Sequence, residues 1–160
     1  MKVIAIVGRS GSGKTRLIAR LVPELRKRGL TVGVIKHCSR GFDLGGPEKD
    51  SSIFFEAGAD GVGLASPGRW AVIRRGKPEP SFRGLARKAF REMDIVLVEG
   101  GRRDSGLKKI EVIGRGKAHR PETRRRELAA VVAGLRLRCE VPVFHPDHIA
   151  EIAAWLEGGG

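Results

Sequence analysis

Residues 2–21, KVIAIVGRSGSGKTRLIARL, constrain the fold more than any other stretch of the chain. Val3 to Val7 are five apolar residues in a row, the pattern of a short strand buried on both faces. They run into a glycine-rich turn and then into an amphipathic segment. Over residues 14–28, Leu17, Ile18, Leu21, Val22 and Leu25 recur at helical spacing and predict a helix. Pro23 lies inside it and is expected to kink it, and Gly29 is a natural stop. TVGVIKH (31–37) reads as the next strand. Strand, helix and strand within about 37 residues is the size of a βαβ unit.

The turn itself is Gly8-Arg9-Ser10-Gly11-Ser12-Gly13-Lys14-Thr15, which fits G-x-x-x-x-G-K-[ST]. Each residue type has a physical reason. Glycines let the backbone curl so that Gly8, Ser10, Gly11, Ser12 and Gly13 point N–H groups at one phosphate. The next helix adds the positive end of its dipole. Lys14 reaches the β- and γ-phosphates, and the Thr15 hydroxyl is a ligand for Mg²⁺. The motif also lies in the context it requires, after a strand and opening a helix.

Farther along, residues 48–57 read as a helix, and 62–65 and 70–74 as short strands. Ser81 is placed to cap a helix through Met93, with Phe82, Leu85, Ala86, Ala89 and Phe90 facing in. DIVLVEG (94–100), KIEVIG (109–114), LAAVVAG (128–134) and VPVF (141–144) are further strands. Asp147 is the expected cap of a last helix whose apolar side is Ile149, Ile152, Ala153 and Leu156. Strands alternating with helices give an α/β fold with a mainly parallel sheet and helices on both faces. The 160 residues suit a single domain, 1–160. No stretch approaches the roughly 20 apolar residues of a membrane span, and nothing resembles a signal peptide, so the expected location is the cytoplasm.

The formal net charge is +13. That excess attracts polyanions: nucleotides, nucleic acid, an acidic protein partner or an anionic membrane surface. Nucleic acid fits poorly, because aromatic residues make up only 5% of the chain and no reading helix is visible. The sequence has no Asn and no Gln, which fits a heat-adapted surface rich in Arg. Cys38 and Cys139 form no C-x-x-C pair and read as small buried hydrophobes rather than metal ligands.

A phosphate cradle needs a carboxylate near its metal. In an open parallel sheet, ligands gather at the carboxyl ends of the strands. Glu99 closes the DIVLVEG strand on that edge and is the first candidate for Mg²⁺. Asp94 opens the same strand on the far edge and reads as a surface carboxylate. Asp50, after the loop beyond the second strand, is either a metal ligand or a helix cap. Lys36 and His37 leave the second strand on the cradle's edge and are candidate ligand contacts. His145 and His148 flank the last helix start and read as structural, and His119 lies in a basic loop.

The absence of Asn excludes the N-K-x-D guanine-reading motif, and the absence of Gln removes a residue able to position an attacking water. Hydrolysis is therefore expected to be slow without a partner. This points either to a nucleotide-binding accessory protein or to an ATP-dependent small-molecule kinase or ligase. In the second case the VEG at the strand end is similar to dethiobiotin synthetase.

GRSGSGKTRLIARLVPELRKRGLTVGVIKH, FDLGGPEKDSSIFFEAGAD, DIVLVEG and KKIEVIGRG occur in that order. Together they resemble the MobB family of molybdopterin-guanine dinucleotide biosynthesis proteins, from residue 1 to about 116, with a looser match in VPVFHPDHIAEIAAWLE. The resemblance implies a P-loop NTPase-like fold and GTP binding with Mg²⁺. It implies a role beside a MobA-like guanylyltransferase that joins GMP to molybdopterin, yielding the molybdenum or tungsten guanine dinucleotide cofactor. It also implies weak intrinsic hydrolysis and a homodimer joined through extended strands, here a segment of about 59–80. After LVEG the family usually has an aromatic residue and then Lys, whereas this chain has Gly101-Arg102-Arg103. Before Lys-Ile-Glu-Val it often has Pro, where this chain has Lys108. Arg102 and Arg103 are thus candidate contacts to substrate or partner. With Arg74, Arg75, Lys77, Lys108, Lys109, Arg115 and Lys117 they read as a surface for a second anion, such as molybdopterin or its guanine dinucleotide, as a surface for an acidic face of a partner, or as the solvated surface of a heat-adapted protein.

Overall fold

Apolar residues on both sides of successive strands decide the architecture. The computed structural model describes residues 1–39, 41–42, 46, 49–76, 81–114 and 120–159. In chain order the elements are β1 (Lys2–Val7), α1 (Lys14–Lys27), β2 (Val32–Lys36), α2 (Asp50–Glu56), β3 (Gly61–Ser66), β4 (Arg69–Arg74) and α3 (Phe82–Ala89). They continue with β5 (Ile95–Glu99), β6 (Lys108–Ile113), β7 (Leu128–Ala133), β8 (Val143–Phe144) and α4 (Ile149–Glu157). Two compact units result: Met1–His37 with Ser81–Gly160, and Cys38–Pro80. No helix among the described residues is long and apolar enough to cross a membrane.

The first unit is built on a six-stranded sheet in the order β2-β5-β1-β6-β7-β8, with every neighbouring pair parallel. Alternate residues along each strand point to opposite faces. Ile4, Ile6, Ile95, Leu97, Ile110 and Val112 face one side, under Leu17, Leu21 and Leu25 of α1 and Ile152 and Leu156 of α4. Ala5, Val7, Val96 and Val98 face the other, under α3 through Ala86, Phe82 and Leu85. Beside β7, Val131 and Ala133 are covered by Leu137, Cys139 and Val141; Cys139 packs on apolar neighbours but is half-buried rather than buried.

The caps explain where helices begin and end. α1 stops at a Schellman arrangement: Leu30 N–H donates to Leu25 O, Gly29 N–H donates to Arg26 O, and Gly29 has φ +84°. The helix runs on through Pro23. Ser81 caps α3, its hydroxyl accepting from Gly84 N–H at 3.1 Å. That helix ends at Ala89, four residues before the expected Met93. Phe90 leaves helical geometry at φ −134°, and its ring packs so closely on Gly33 that a Cβ there would lie 3.0 Å away. Asp147 is not the cap of α4. His148 occupies that position without a side-chain bond, because the Asp147 carboxylate instead accepts from Arg20 Nη1 at 2.8 Å.

The second unit contains α2 and an antiparallel hairpin of β3 and β4. Its two-residue turn, Pro67-Gly68, suits a type II geometry, with Gly68 at φ +77°. Trp70 and Val72 stand two residues apart on β4, hence on one face, and are 78% and 57% exposed. Arg75 belongs to this unit's own structure. It donates to the carbonyls of Phe55 and Ala59 and lies 4.3 Å over the Phe55 ring.

Lys109 corrects one expectation. It has no place on an anion-binding surface, because it is wholly buried. Its ammonium donates to Glu127 Oε2 at 2.5 Å and to Asp104 O at 2.7 Å. That bond to Lys109 holds the Glu127 carboxyl below the ordinary glutamate range. Removing one partner of a buried pair leaves a charge without compensation, whereas replacing both need not destabilise. Glu127→Gln is expected to lower the urea midpoint, and Lys109→Met with Glu127→Leu to recover most of the loss. Equal loss in both variants would show that the pair itself is not what matters.

Candidate functional site

The carboxyl end of β1 lies between the carboxyl ends of β5 and β6, and the glycine-rich loop rises from there. Gly8 is required at the start of the loop. A Cβ on it would sit 2.4 Å from the Val112 carbonyl oxygen and 2.6 Å from Ser12 Oγ. Gly11 and Gly13 hold φ +72° and +99°, backbone regions that cost little only for glycine. Gly13 is the N-cap of α1, its carbonyl accepting from Leu17 N–H at 2.9 Å.

Lys14 bends back over this loop. Its ammonium donates to Arg9 O at 2.8 Å and to Gly8 O at 3.2 Å. Thr15 Oγ1 donates to Glu99 Oε1 at 2.7 Å. Two hard oxygen donors from different elements thus meet at the cradle's edge, the donor chemistry that Mg²⁺ takes. Ser12 Oγ is buried and has no hydrogen-bond partner among the described residues, which suits a hydroxyl waiting for an anionic oxygen.

The other candidates fall in different places. Lys36 closes β2 opposite Glu99 in register. His37 N–H donates to Glu99 O at 2.9 Å, and the His37 ring packs edge-on against Phe82 at 5.3 Å. Ser10 sits in the loop beside a cleft of about 280 Å³ that Arg9, Glu111, Gly114, Arg120 and Glu122 also line. Arg102 donates to Glu122 Oε2 at 2.9 Å and lies 3.6 Å from Glu111 Oε1, while Arg103 is exposed. Lys108 donates to Arg126 O. Asp50 belongs to the other unit, where it occupies the first turn of α2. Lys49, not Asp50, is that helix's N-cap. Lys77, Arg115, Lys117 and His119 lie outside the described residues.

Local patterns gave no reason to single out two arrangements. Arg9, an unspecified position of the loop motif, donates to Glu122 Oε1 from 113 residues away. Glu111 is buried, and its carboxylate accepts from the N–H groups of Glu122 and Thr123 at 2.8 to 3.1 Å. That anchors the segment carrying Glu122, whose own carboxyl is held low chiefly by Arg9. Only the apolar context of Glu111 inside KIEVI hinted that its charge must be compensated.

Asp94, on the opposite edge, has a structural role. It accepts from Thr31 N–H at 2.8 Å and from Thr31 Oγ1 at 2.7 Å. These bonds hold its carboxyl below the ordinary aspartate range. A depressed folded pKa contributes stability that is present above the unfolded value of about 3.9 and fades as pH falls through the folded one. Asp94→Asn is therefore expected to flatten the acid limb of a stability-against-pH curve below about pH 4. An unchanged acid limb would show that the Thr31 bonds favour neither protonation state.

Comparison with known proteins bears on this geometry. The family model described as molybdopterin guanine dinucleotide synthesis protein B matches residues 3–134. An Escherichia coli (strain K12) protein named molybdopterin-guanine dinucleotide biosynthesis adapter protein is 33% identical over 159 residues, spanning 96% of this chain and 90% of that one. A Haemophilus influenzae protein of the same name is 34% identical, spanning 97% of this chain and 87% of its own. The crystal structure of a molybdopterin-guanine biosynthesis protein B superposes with a TM-score of 0.76 at 31% identity, covering 98% of this chain and 97% of that one. Bacillus subtilis MobB, at 22% identity and a TM-score of 0.74 over 98% of this chain and 97% of its own, shares the fold.

Proposed function

This chain belongs to the MobB family of molybdopterin guanine dinucleotide synthesis proteins, and on that premise we propose that it is a GTP-binding adapter. In this reading it serves a MobA-like guanylyltransferase during assembly of the molybdopterin guanine dinucleotide cofactor. The observation that carries the reading is the strand–loop–helix cradle, with Lys14 folded over its mouth and Thr15 bonded to Glu99 beside it. Backbone donors of residues 8–13 take the phosphate oxygens, and Lys14 exchanges its two carbonyl partners for phosphate. Thr15 and Glu99 would hold Mg²⁺, which neutralises phosphate charge. Lys36, His37, Arg102 and Arg103, on or near the same strand ends, are proposed to face substrate or partner. Slow turnover alone is expected of a chain without Gln, so binding rather than hydrolysis is the proposed contribution.

A second element of the reading is self-association through β3 and β4. Trp70 and Val72 present a contiguous apolar face far more exposed than large side chains usually are. A second copy adding its own strands would cover it, giving a homodimer.

Calorimetric titration of GTP and ATP, with and without Mg²⁺, tests the binding. Wild type is expected to bind GTP better than ATP. Lys14→Ala should weaken GTP by roughly ten- to a hundredfold, the loss of one charge-assisted contact. Thr15→Ala should remove most of the gain that Mg²⁺ confers. Binding unaffected by Lys14→Ala would sink the cradle assignment, and a preference for ATP would favour the small-molecule kinase or ligase. For the dimer, Trp70→Glu is expected to shift sedimentation from dimer to monomer without changing the circular dichroism of the fold.

A further inference from the structure

A GTP-binding chain without the N-K-x-D motif still has to tell guanine from adenine, and on the premise that GTP is the ligand, we infer that Asp147 is its guanine-reading residue. Guanine presents two adjacent donors, N1–H and the N2 amino group, which a carboxylate accepts side by side. Adenine presents an acceptor at N1, where a carboxylate meets a lone pair instead. An ionised carboxylate within a nucleoside's reach of the phosphate loop, on the carboxyl edge of the sheet, would therefore read guanine against adenine.

The structure contains such a group. A cleft of about 490 Å³ opens directly from the cradle, within the roughly 300–1,000 Å³ of small-molecule sites. Gly11, Ser12 and Gly13 line it at the phosphate side, and Pro146 and Asp147 line it just before α4. Between them it is bounded by Leu17 of α1 and by the ends of β6 and β7, where Gly114 and Gly134 add no side chain. A Cβ on Gly134 would meet nothing within 4 Å, so the space above that strand end is open. Pro146, half-buried, offers apolar surface to the flat face of a base.

Asp147 is the one carboxylate among the cleft's described lining residues. Arg20, which lines the same cleft, holds it in place: its Nη1 donates to Asp147 Oδ1 at 2.8 Å and to Pro146 O at 3.0 Å. The Arg20 bond also draws the Asp147 carboxyl below the ordinary aspartate value. A carboxylate has about four acceptor sites, and this ion pair uses one of them. His145 lies at 3.7 Å from Oδ2, too far for a hydrogen bond, so among the described residues that oxygen keeps its lone pairs for a donor. The carboxylates of the neighbouring cleft are otherwise engaged, Glu111 with two backbone N–H groups and Glu122 with Arg9 and Arg102. The helix start that failed to use Asp147 as its cap thus leaves the carboxylate facing the base pocket.

The test is a change of base preference, which structural damage cannot produce. Xanthine carries a carbonyl oxygen where guanine has its amino group. Asp147→Asn exchanges an acceptor for an amide that donates, so it should favour xanthosine triphosphate. Titrations of GTP, ATP and xanthosine triphosphate are made on wild type and Asp147→Asn, with circular dichroism as a check on folding. Asp147→Asn is expected to lose GTP affinity by about tenfold or more and to gain affinity for xanthosine triphosphate. If the folded variant keeps the wild-type order of the three nucleotides, Asp147 does not read the base, although GTP binding stands. If wild type binds none of them, the GTP reading itself fails, and this inference with it. If wild type binds GTP and ATP equally, there is no base reading for Asp147 to perform.

Discussion

The site depends on how closely two parallel strands approach at one edge of the sheet. β1 is gripped between β5 and β6, and at its carboxyl end the chain passes within contact of the Val112 carbonyl. Only a residue without a side chain fits there, as the 2.4 Å separation for a Cβ at Gly8 shows. That tight passage aims the loop back over the sheet edge, and α1 can then begin at Gly13 with its free N–H groups turned inward. Because β5 lies on one flank, Glu99 meets Thr15. Because β6 lies on the other, Gly114 and the anchored Glu111 border the loop's far side. A methyl group at residue 8 would force these flanks apart and scatter every group the cradle brings together.

Elements buried on both faces were the most legible part of the sequence. An apolar run such as Val3–Val7 or Ile95–Val98 has few alternatives to a central parallel strand, and the glycine-lysine motif dictates the loop and helix after the first of them. Ends of elements were less legible, because tertiary contacts decide them. Phe90 abandons its helix to lie on Gly33, and Asp147 yields its capping position to bond Arg20 across the domain. Neither neighbour is near in sequence, so no local pattern announces it. The strand order was hidden for the same reason: a run of hydrophobic residues states that it will be buried, not beside which strand.

Charge was the least legible property. A net excess of cations suggested one broad anion-binding surface, yet many of the cations are committed inside the fold. Lys109 is buried with Glu127, Arg75 supports the carbonyls of its own unit, and Arg28 joins Glu24 and Glu157. Arg9 and Arg102 converge on Glu122. What remains is patterned by position rather than by amount, with cations gathered around the loop and Glu111, Glu122 and Asp147 set among them. Arrangements of that kind rest on partners often more than 100 residues apart, such as Arg20 and Asp147, and emerge only with the fold.

The order of strands also governs how the chain is born. β1 is made before the other strands of its sheet, but its neighbours are β5 and β6, so it has no sheet partner until residues 95–113 have been made. At about 5–20 residues per second that wait is on the order of 5 to 20 seconds. Throughout it, one of the most apolar strands of the nascent chain is without its sheet and open to pairing with other chains. Lys2, at the start of this strand and bonded in the folded state to the carbonyl of Leu156 near the opposite terminus, places a charge beside that exposed run. The strand that organises the finished sheet is therefore also the one that waits longest for its neighbours during synthesis.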